Sequence, residues 1–571
     1  MIKARKAVIK MQEYKPPISG RRNCIKLDFN ENIAGCSTQV IRIIRKIKPS
    51  DLAAYPEYGK LGECLANYCN VKADEIAPTN GTDEAIKTIF ETYIEKTKDE
   101  IIIPVPTYAM YKFYAQLNEA VIKEIKYNKD LTFSAKRVLK AINSKTKIII
   151  LANPNNPTGT SINKKDVTKI IKKARRNNAI VLIDEAYCQF SGKTSVPLIK
   201  KYDNLLITQT FSKAFGLAGV RLGYIISNKS NIRIIKKVLS PYSVNIVAAI
   251  CASAALGDLN YIKKYTVETK KSKSLLYKEL NDLGVKFYKS DANFILLRIG
   301  SKSIEFCKRL REMGILIRDR SGDPLLKGCV RVTLGTITQT KKLIPLLRQT
   351  VKEIKPLLIL DIDGVLAGVS KSYRVALKST SDYFTKENIT FEEIQDYKNK
   401  GGFNNDWDLA EAIIKSRGKL VDKKMIIKKF QNYYKRLASD EKWLLNKKIL
   451  KKLSKKYNLA ILTGRPRKEA GYVLRKNKVN HYFRAIVSME DVSQQKPSPE
   501  GILKILKQCS NSEAYYLGDT IDDMKAAVAA NINPIGVLPP QDKSSELRKL
   551  LIKNNAKYVI NNINRIFEVL T

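Results

Sequence analysis

The chain has 571 residues, 44% hydrophobic and 28% charged, the mix of a soluble globular protein with core enough for roughly three to four compact units. Its net charge of +48 raises nucleic-acid binding, but the lysines run the whole length at helical-surface spacing, as in KKLIPLLRQTVKEIK, so no specific nucleic-acid site is expected. A single histidine, His481, lies away from every motif, and nine cysteines show no Cys-x-x-Cys pair, which excludes zinc clusters, a disulfide framework and catalysis by histidine.

The longest apolar stretches, such as Val247–Leu256, fall short of the roughly 18 residues that span a bilayer. The first residues, MIKARKAVIKMQEYK, lack the apolar core of a secretory signal, so the expectation is a cytoplasmic protein without a membrane partner. From about Asp51 to Tyr224, strand-like runs (EIIIPVP, KTKIIILANP, AIVLIDEAY, NLLITQTFS) alternate with helical patterns, which predicts an α/β unit with a mainly parallel sheet. Residues 230–350 give longer helices broken by VKFYKS, ANFILLRI and CVRVTLG, a smaller α+β lobe. Near 351–356 the pattern restarts with LLILDIDG, followed by a mostly helical stretch and then YNLAILTG, FRAIVS, AYYLGD and NPIGV: a second α/β unit. The expected division is therefore 1–355 and 356–571, with no repeats and no low-complexity linker.

In the first unit, TQTFSKAFGLAGVRLGY (208–224) sets Ser212 and Lys213 between an apolar run and the glycines 216, 219 and 223. A lysine at a strand end beside small residues suits a Schiff base with an aldehyde cofactor. LANPNNPTGT supplies Asn153 at another strand end. LIDEAY supplies Asp184, an acid placed to pair with a pyridine nitrogen, and NGTDEAI opens a helix with small residues, an anion seat.

With LDFNEN (27–32), YPEYG (55–59), PTYAMY (106–111) and RDR…CVRVTLGT, this set resembles the fold-type-I aminotransferases that use pyridoxal 5'-phosphate, and within them the histidinol-phosphate branch, over about residues 20–350. The resemblance implies Lys213 as the Schiff-base lysine and Asp184 as partner of the ring nitrogen. Asn153 and Tyr187 would hold the ring hydroxyl and Tyr108 would stack on the ring. Gly81, Thr82, Ser212 and Arg221 would gather the cofactor phosphate, with Tyr55 reaching in from the second subunit of a homodimer. The family's usual proline after Asn-Glu-Asn is Ile33 here, which bears on substrate selection and not on the chemistry. Substrate choice falls to Arg318 and Arg331, two guanidiniums suited to a phosphate or a carboxylate. In related aminotransferases the arginine matching Arg331 grips a substrate carboxylate; in the histidinol-phosphate branch both meet a phosphate.

In the second unit, LLILDIDGVL (357–366) ends an apolar run on Asp361 and Asp363. AILTGRPR ends on Thr463, QQKPSPE carries Lys496, and LGDTIDDMKAA ends on Asp519 with Asp522 and Asp523 in the following turn. Acids converging beside one lysine and one hydroxyl are what a magnesium-dependent phosphoryl site needs. The four motifs, in this order over roughly 356–571, resemble the haloacid dehalogenase superfamily of phosphatases. By that resemblance Asp361 is the nucleophile and Asp363 the general acid and base. Thr463 and Lys496 bind phosphate, and the Mg²⁺ set is drawn from Asp361, Asp363, Asp519 and Asp523. The insertion at about 367–456 would be a helical cap over a Rossmann-like core, with KGGFNNDWDL (400–409) either a substrate-reading loop or a cap hinge.

The pair of resemblances implies a bifunctional enzyme of histidine synthesis, exchanging an amino group between glutamate or 2-oxoglutarate and a phosphorylated amine, then removing the phosphate. Two alternatives stand beside it: an aromatic or other aminotransferase joined to a phosphatase of unrelated substrate, and a binding protein with decayed sites.

Overall fold

In the computed structural model all residues are described except 1, 3, 14–18, 96–97, 401, 403–404, 510–512 and 571. The chain divides into two compact units, Met1–Thr350 and Val351–Thr571.

The first unit is built on seven strands: β1 (Ile76–Thr79), β2 (Glu100–Val105), β3 (Val121–Lys126), β4 (Thr146–Ala152), β5 (Ile180–Asp184), β6 (Leu205–Thr210) and β7 (Gly223–Ile226). Their order across the sheet is β1-β7-β6-β5-β4-β2-β3, and every pairing is parallel except the two made by β7. Strands β2, β4, β5 and β6 are almost wholly buried and carry Ile and Leu on both faces, as a sheet covered by helices on both faces requires. Strand β3, VIKEIK, is the exposed edge, blunted by its lysines. The smaller lobe holds four antiparallel strands, β8 (Lys286–Tyr288), β9 (Phe294–Arg298), β10 (Arg318–Asp319) and β11 (Cys329–Thr333), in the order β10-β11-β9-β8.

The second unit has a six-stranded parallel sheet: β12 (Leu357–Leu360), β13 (Asn458–Leu462), β14 (Phe483–Val487), β15 (Ala514–Gly518), β16 (Asn533–Val537) and β17 (Tyr558–Ile560). The order β14-β13-β12-β15-β16-β17 reverses direction between β12 and β15, the point at which ligands collect in such sheets. Asp361 follows β12 and Asp519 follows β15, so both stand at that reversal.

Between β12 and β13 the chain leaves the sheet through a short antiparallel pair, Ala367–Gly368 with Lys442–Trp443. Beyond this neck, helices Tyr373–Thr385, Phe391–Lys400, Asp406–Ser416 and Lys423–Leu437 enclose a core of their own around Leu377, Ile413 and Phe430. The cap is narrower than the 367–456 expected. The helix Lys447–Lys456 packs Leu450 and Leu453 into the core of the sheet, because it carries an apolar stripe that only the sheet can cover.

Candidate active sites

The first site gathers at the carboxyl ends of β4, β5 and β6. Lys213 follows β6; its Nζ donates to the Phe29 carbonyl at 2.9 Å. Burial, helped by the positive charge of Arg331, lowers its pKa to about 8. Asp184, the last residue of β5, accepts the Tyr111 hydroxyl at 2.5 Å and the Ala186 amide at 3.1 Å. Burial holds its carboxyl above the usual range, outweighing the downward pull of the Tyr111 and Ala186 donors. A protonated ring nitrogen would reverse that shift, so this residue fits the partner it was expected to take. The Asn153 amide nitrogen donates to the Asp184 carbonyl and its Oδ1 accepts from Ile162, leaving the side-chain NH₂ for a ligand. Tyr187 accepts from the Asn30 side chain at 2.9 Å.

The residues expected to seat the cofactor phosphate meet where β7 crosses the start of the helix Gly81–Tyr93. Gly81, at φ +75°, lies so near Arg221 that a Cβ there would sit 2.7 Å from the guanidinium. Arg221 reaches Ser212 Oγ at 3.5 Å and pairs with Asp83 at 3.1 Å, while Asp83 also accepts the Tyr108 hydroxyl at 2.8 Å. Thr82 belongs to the same first helical turn. Free amides at a helix start beside an arginine make an anion cradle. Tyr55 stands apart, 77% exposed, its ring against Tyr242.

The two arginines expected to choose the substrate face each other directly: Arg318 on β10 is the cross-strand partner of Arg331 on β11. Arg331 is buried and donates to Asn156 Oδ1 at 2.5 Å and to the Asp28 carbonyl, and its Nε has no partner. Burial and the neighbouring Arg320 and Arg318 push its pKa down to about 10, despite the counter-pull of Tyr187. Like charges directly opposed are unfavourable, and an anion held by both would remove that cost.

In the second site Lys496 Nζ donates to Asp361 Oδ2 at 3.0 Å, Asp523 Oδ1 at 2.6 Å and the Tyr516 hydroxyl at 3.1 Å. Carboxylate oxygens of Asp361, Asp519 and Asp523 lie within 4.8 Å of one another. Burial raises the Asp361 carboxyl despite Lys496, and burial with the neighbouring acids raises Asp519 well above its usual range. Three crowded acids with one lysine leave negative charge for a hard cation, so the set fits Mg²⁺. The Asp363 side chain, expected among the metal ligands, is outside this trio and pairs with Arg465 at 2.5 Å. Asp523 is fully buried and also accepts from Thr520, which ties it more to Lys496 than to the open cavity. Thr463 borders a small recess beside Lys496 and accepts the Arg465 amide.

Sequence reasoning missed several of these groups. Tyr111 lay inside the quoted PTYAMY, one helical turn past Tyr108. Arg465 lay inside AILTGRPR; it is 1% exposed, held by both oxygens of Glu441 and stacked 4.6 Å from the Tyr373 ring. Glu441 carried no sequence signal, because its position comes from the return of the chain at the neck. Of the 400–409 stretch, residues 401, 403 and 404 lie outside those described; Gly402, at φ +86°, donates its amide to Asp522 Oδ2 at 2.8 Å.

A lysine with a lowered pKa, a buried acid and an anion cradle on one sheet, with an acidic trio on a second, define two enzyme units of different chemistry. Residues 22–346 match the family Aminotransferase class I and II, and the chain belongs to that family. Residues 358–537 match Haloacid dehalogenase-like hydrolase, so a hydrolase domain of that kind is fused behind it. Histidinol-phosphate aminotransferase of Caldanaerobacter subterraneus subsp. tengcongensis is 38% identical over 331 residues, 57% of this chain and 92% of that relative. The crystal structure of histidinol-phosphate aminotransferase from Clostridium acetobutylicum is 27% identical, with TM-score 0.54 over 58% of this chain and all of that one (100%). The enzyme of that name from Sinorhizobium meliloti, solved in complex with pyridoxal-5'-phosphate, shares the fold at TM-score 0.56 and 22% identity, over 61% of this chain and 97% of that one. The chain is a pyridoxal-phosphate-dependent transaminase joined to a phosphatase domain of a class that uses Mg²⁺. No single helix among the described residues is long and apolar enough to cross a membrane.

Proposed function

We propose that the first unit exchanges the amino group of histidinol phosphate with 2-oxoglutarate and glutamate, and that the second removes the phosphate from the same amine. The observation that carries the substrate assignment is the opposed Arg318–Arg331 pair, with the unpartnered Arg331 Nε, on strands of the lobe whose Arg331 also depresses Lys213. The names of the relatives above support it.

Pyridoxal phosphate, when bound, supplies the electron sink that makes the amine-bearing carbon acidic. Lys213 would hold its aldehyde carbon and, once displaced by substrate, carry the proton on its neutral amine. Asp184 would hold the ring nitrogen's proton, with Tyr111 fixing the carboxylate. Gly81, Thr82, Ser212 and Arg221 would seat its phosphate, Asn153 and Tyr187 its hydroxyl, and Tyr108 its ring face. Tyr55 serves a second copy of the chain; its exposure, with Leu52 and Tyr242 also exposed nearby in sequence or space, supports a homodimer through this unit.

In the second unit Asp361 attacks the phosphorus. Asp363, steered by Arg465, gives its proton to the leaving oxygen and then takes one from the water that displaces inorganic phosphate from Asp361. Lys496 and Thr463 hold the phosphoryl oxygens, and Asp361 and Asp519 would hold Mg²⁺, which offsets their charge.

Arg318→Ala tests the assignment. Each charge-assisted bond contributes about 1.5–3 kcal/mol, so KM for histidinol phosphate rises by roughly one to two factors of ten while the cofactor absorbance is unchanged. Aromatic keto acids with glutamate turning over as well as the phosphorylated pair would overturn it.

A further inference from the structure

The acidic trio and Lys496 of the second site are accounted for; another part of the wall of the same cavity is not. That wall includes Arg374, Gln395 and Trp407 from the cap and Asp522 from the sheet side. Arg374 is 8% exposed and Asp522 is 4% exposed. Arg374 donates one terminal nitrogen to Gln395, yet its Nε has no partner. Asp522 spends Oδ2 on the Gly402 amide, yet its Oδ1 has no partner either. Arg374 and Asp522 are not paired with each other. Burying such atoms unmatched is costly, more so when they are charged, so a cavity wall that keeps both is shaped for something that satisfies them.

A cationic donor matches Asp522 and an acceptor matches Arg374. Trp407, opening the helix Asp406–Ser416 in the same wall, adds an aromatic surface of the kind that attracts cations and planar rings. We propose that this wall selects phosphomonoesters whose alcohol part is an amine: the substrate's ammonium donates to Asp522 Oδ1, and Arg374 Nε–H donates to an acceptor on the same leaving group. That acceptor is either a carboxylate oxygen or the unprotonated nitrogen of an azole ring. The inference deepens the phosphatase reading above and rests on it. Gly402 then has a defined part: its amide fixes the Asp522 carboxylate and its positive φ keeps larger residues out of that turn.

The test uses the full chain with Mg²⁺ and five esters. Histidinol phosphate and O-phosphoserine carry both groups, phosphoethanolamine carries the ammonium only, 3-phosphoglycerate the carboxylate only, and p-nitrophenyl phosphate neither. The expected result is kcat/KM at least tenfold higher for the three amines than for 3-phosphoglycerate. Asp522→Asn should cut kcat/KM for the amines at least tenfold more than for p-nitrophenyl phosphate, mainly through KM. Arg374→Gln should penalise histidinol phosphate or phosphoserine, whichever is the better substrate, at least fivefold more than phosphoethanolamine. Equal losses across all five esters for Asp522→Asn, with a shifted Mg²⁺ requirement, would make Asp522 a support of the acidic trio and overturn the inference. So would hydrolysis of p-nitrophenyl phosphate without preference for amines. No hydrolysis of any ester would overturn the phosphatase reading itself.

Discussion

Lys213 shows how one residue's surroundings set its chemistry. With a pKa near 8 roughly one amine in ten is neutral at pH 7, against roughly one in three thousand for an ordinary lysine. Burial disfavours the charged form, so the neutral, nucleophilic form gains as pH rises through 8. The rate at which apo-protein captures pyridoxal phosphate should climb about tenfold per pH unit below 8 and flatten above it, in stopped-flow absorbance. A rate still climbing at pH 10 would show the lysine to be unperturbed. Arg465 is the counterpart in the second unit: fully enclosed, it answers Glu441 on one side and Asp363 on the other. Removing one partner of a buried pair leaves uncompensated charge, so Arg465→Met should cost the second unit about 3–5 kcal/mol in its urea transition. Glu441→Gln should lose less, because Asp363 keeps its arginine. A loss under about 1 kcal/mol for Arg465→Met would mean water already reaches these acids.

At the scale of elements, the strand-to-turn step after β12 carries the second site. Gly364 has φ +70°, and a Cβ there would strike the Asp519 carboxylate and Pro539. Gly364→Ala therefore forces both backbone strain, about 1–3 kcal/mol, and a displaced acid. Mg²⁺ should raise the melting temperature of the wild-type chain and fail to do so for this variant; an unchanged Mg²⁺ shift would contradict the placement of Asp519. Much of this element was readable from sequence, since LLILDIDG couples a buried apolar run to its acids. The same holds for β2, β4, β5 and β6 and for four of the five strands following the cap, β13 to β16; the short last strand β17 was not read. The strands Ile76–Thr79 and Gly223–Ile226 were not legible: each is only four residues, and one contains proline and the other begins with glycine. They exist because Gly223–Ile226 pairs with β6 and Ile76–Thr79 pairs with Gly223–Ile226 in turn. VIKEIK was hidden for another reason, as an edge strand free to carry lysine. The extent of the cap was misjudged at its far end because amphipathic helices look alike whether a sheet or other helices cover them. Of the sites, the motif residues were visible, and the groups that hold them, Glu441, Tyr516 and Asp83, were set by folding at long sequence separation.

The whole molecule places two complete sets of groups on separate units of one chain. Tethering raises the local concentration of whatever the first unit releases near the second, without requiring a tunnel. The large positive charge acts in the same direction, drawing anionic esters from solution in a salt-dependent way. The sites should nonetheless fail independently: Lys213→Ala removes transamination and spares ester hydrolysis, while Asp361→Asn does the reverse, each measured on the other activity's substrate. Equal loss of both activities in a folded variant would contradict two independent sites.

The most direct measurement follows one phosphorus atom. The full chain, with pyridoxal phosphate, Mg²⁺ and glutamate, is given imidazole-acetol phosphate, and the reaction is watched by ³¹P NMR with amine analysis. The account predicts histidinol and inorganic phosphate from the wild type, and accumulation of histidinol phosphate when Asp361 is replaced by Asn. Histidinol phosphate that builds up unhydrolysed with the wild-type chain, or phosphate released as fast by Asp361→Asn, would contradict it.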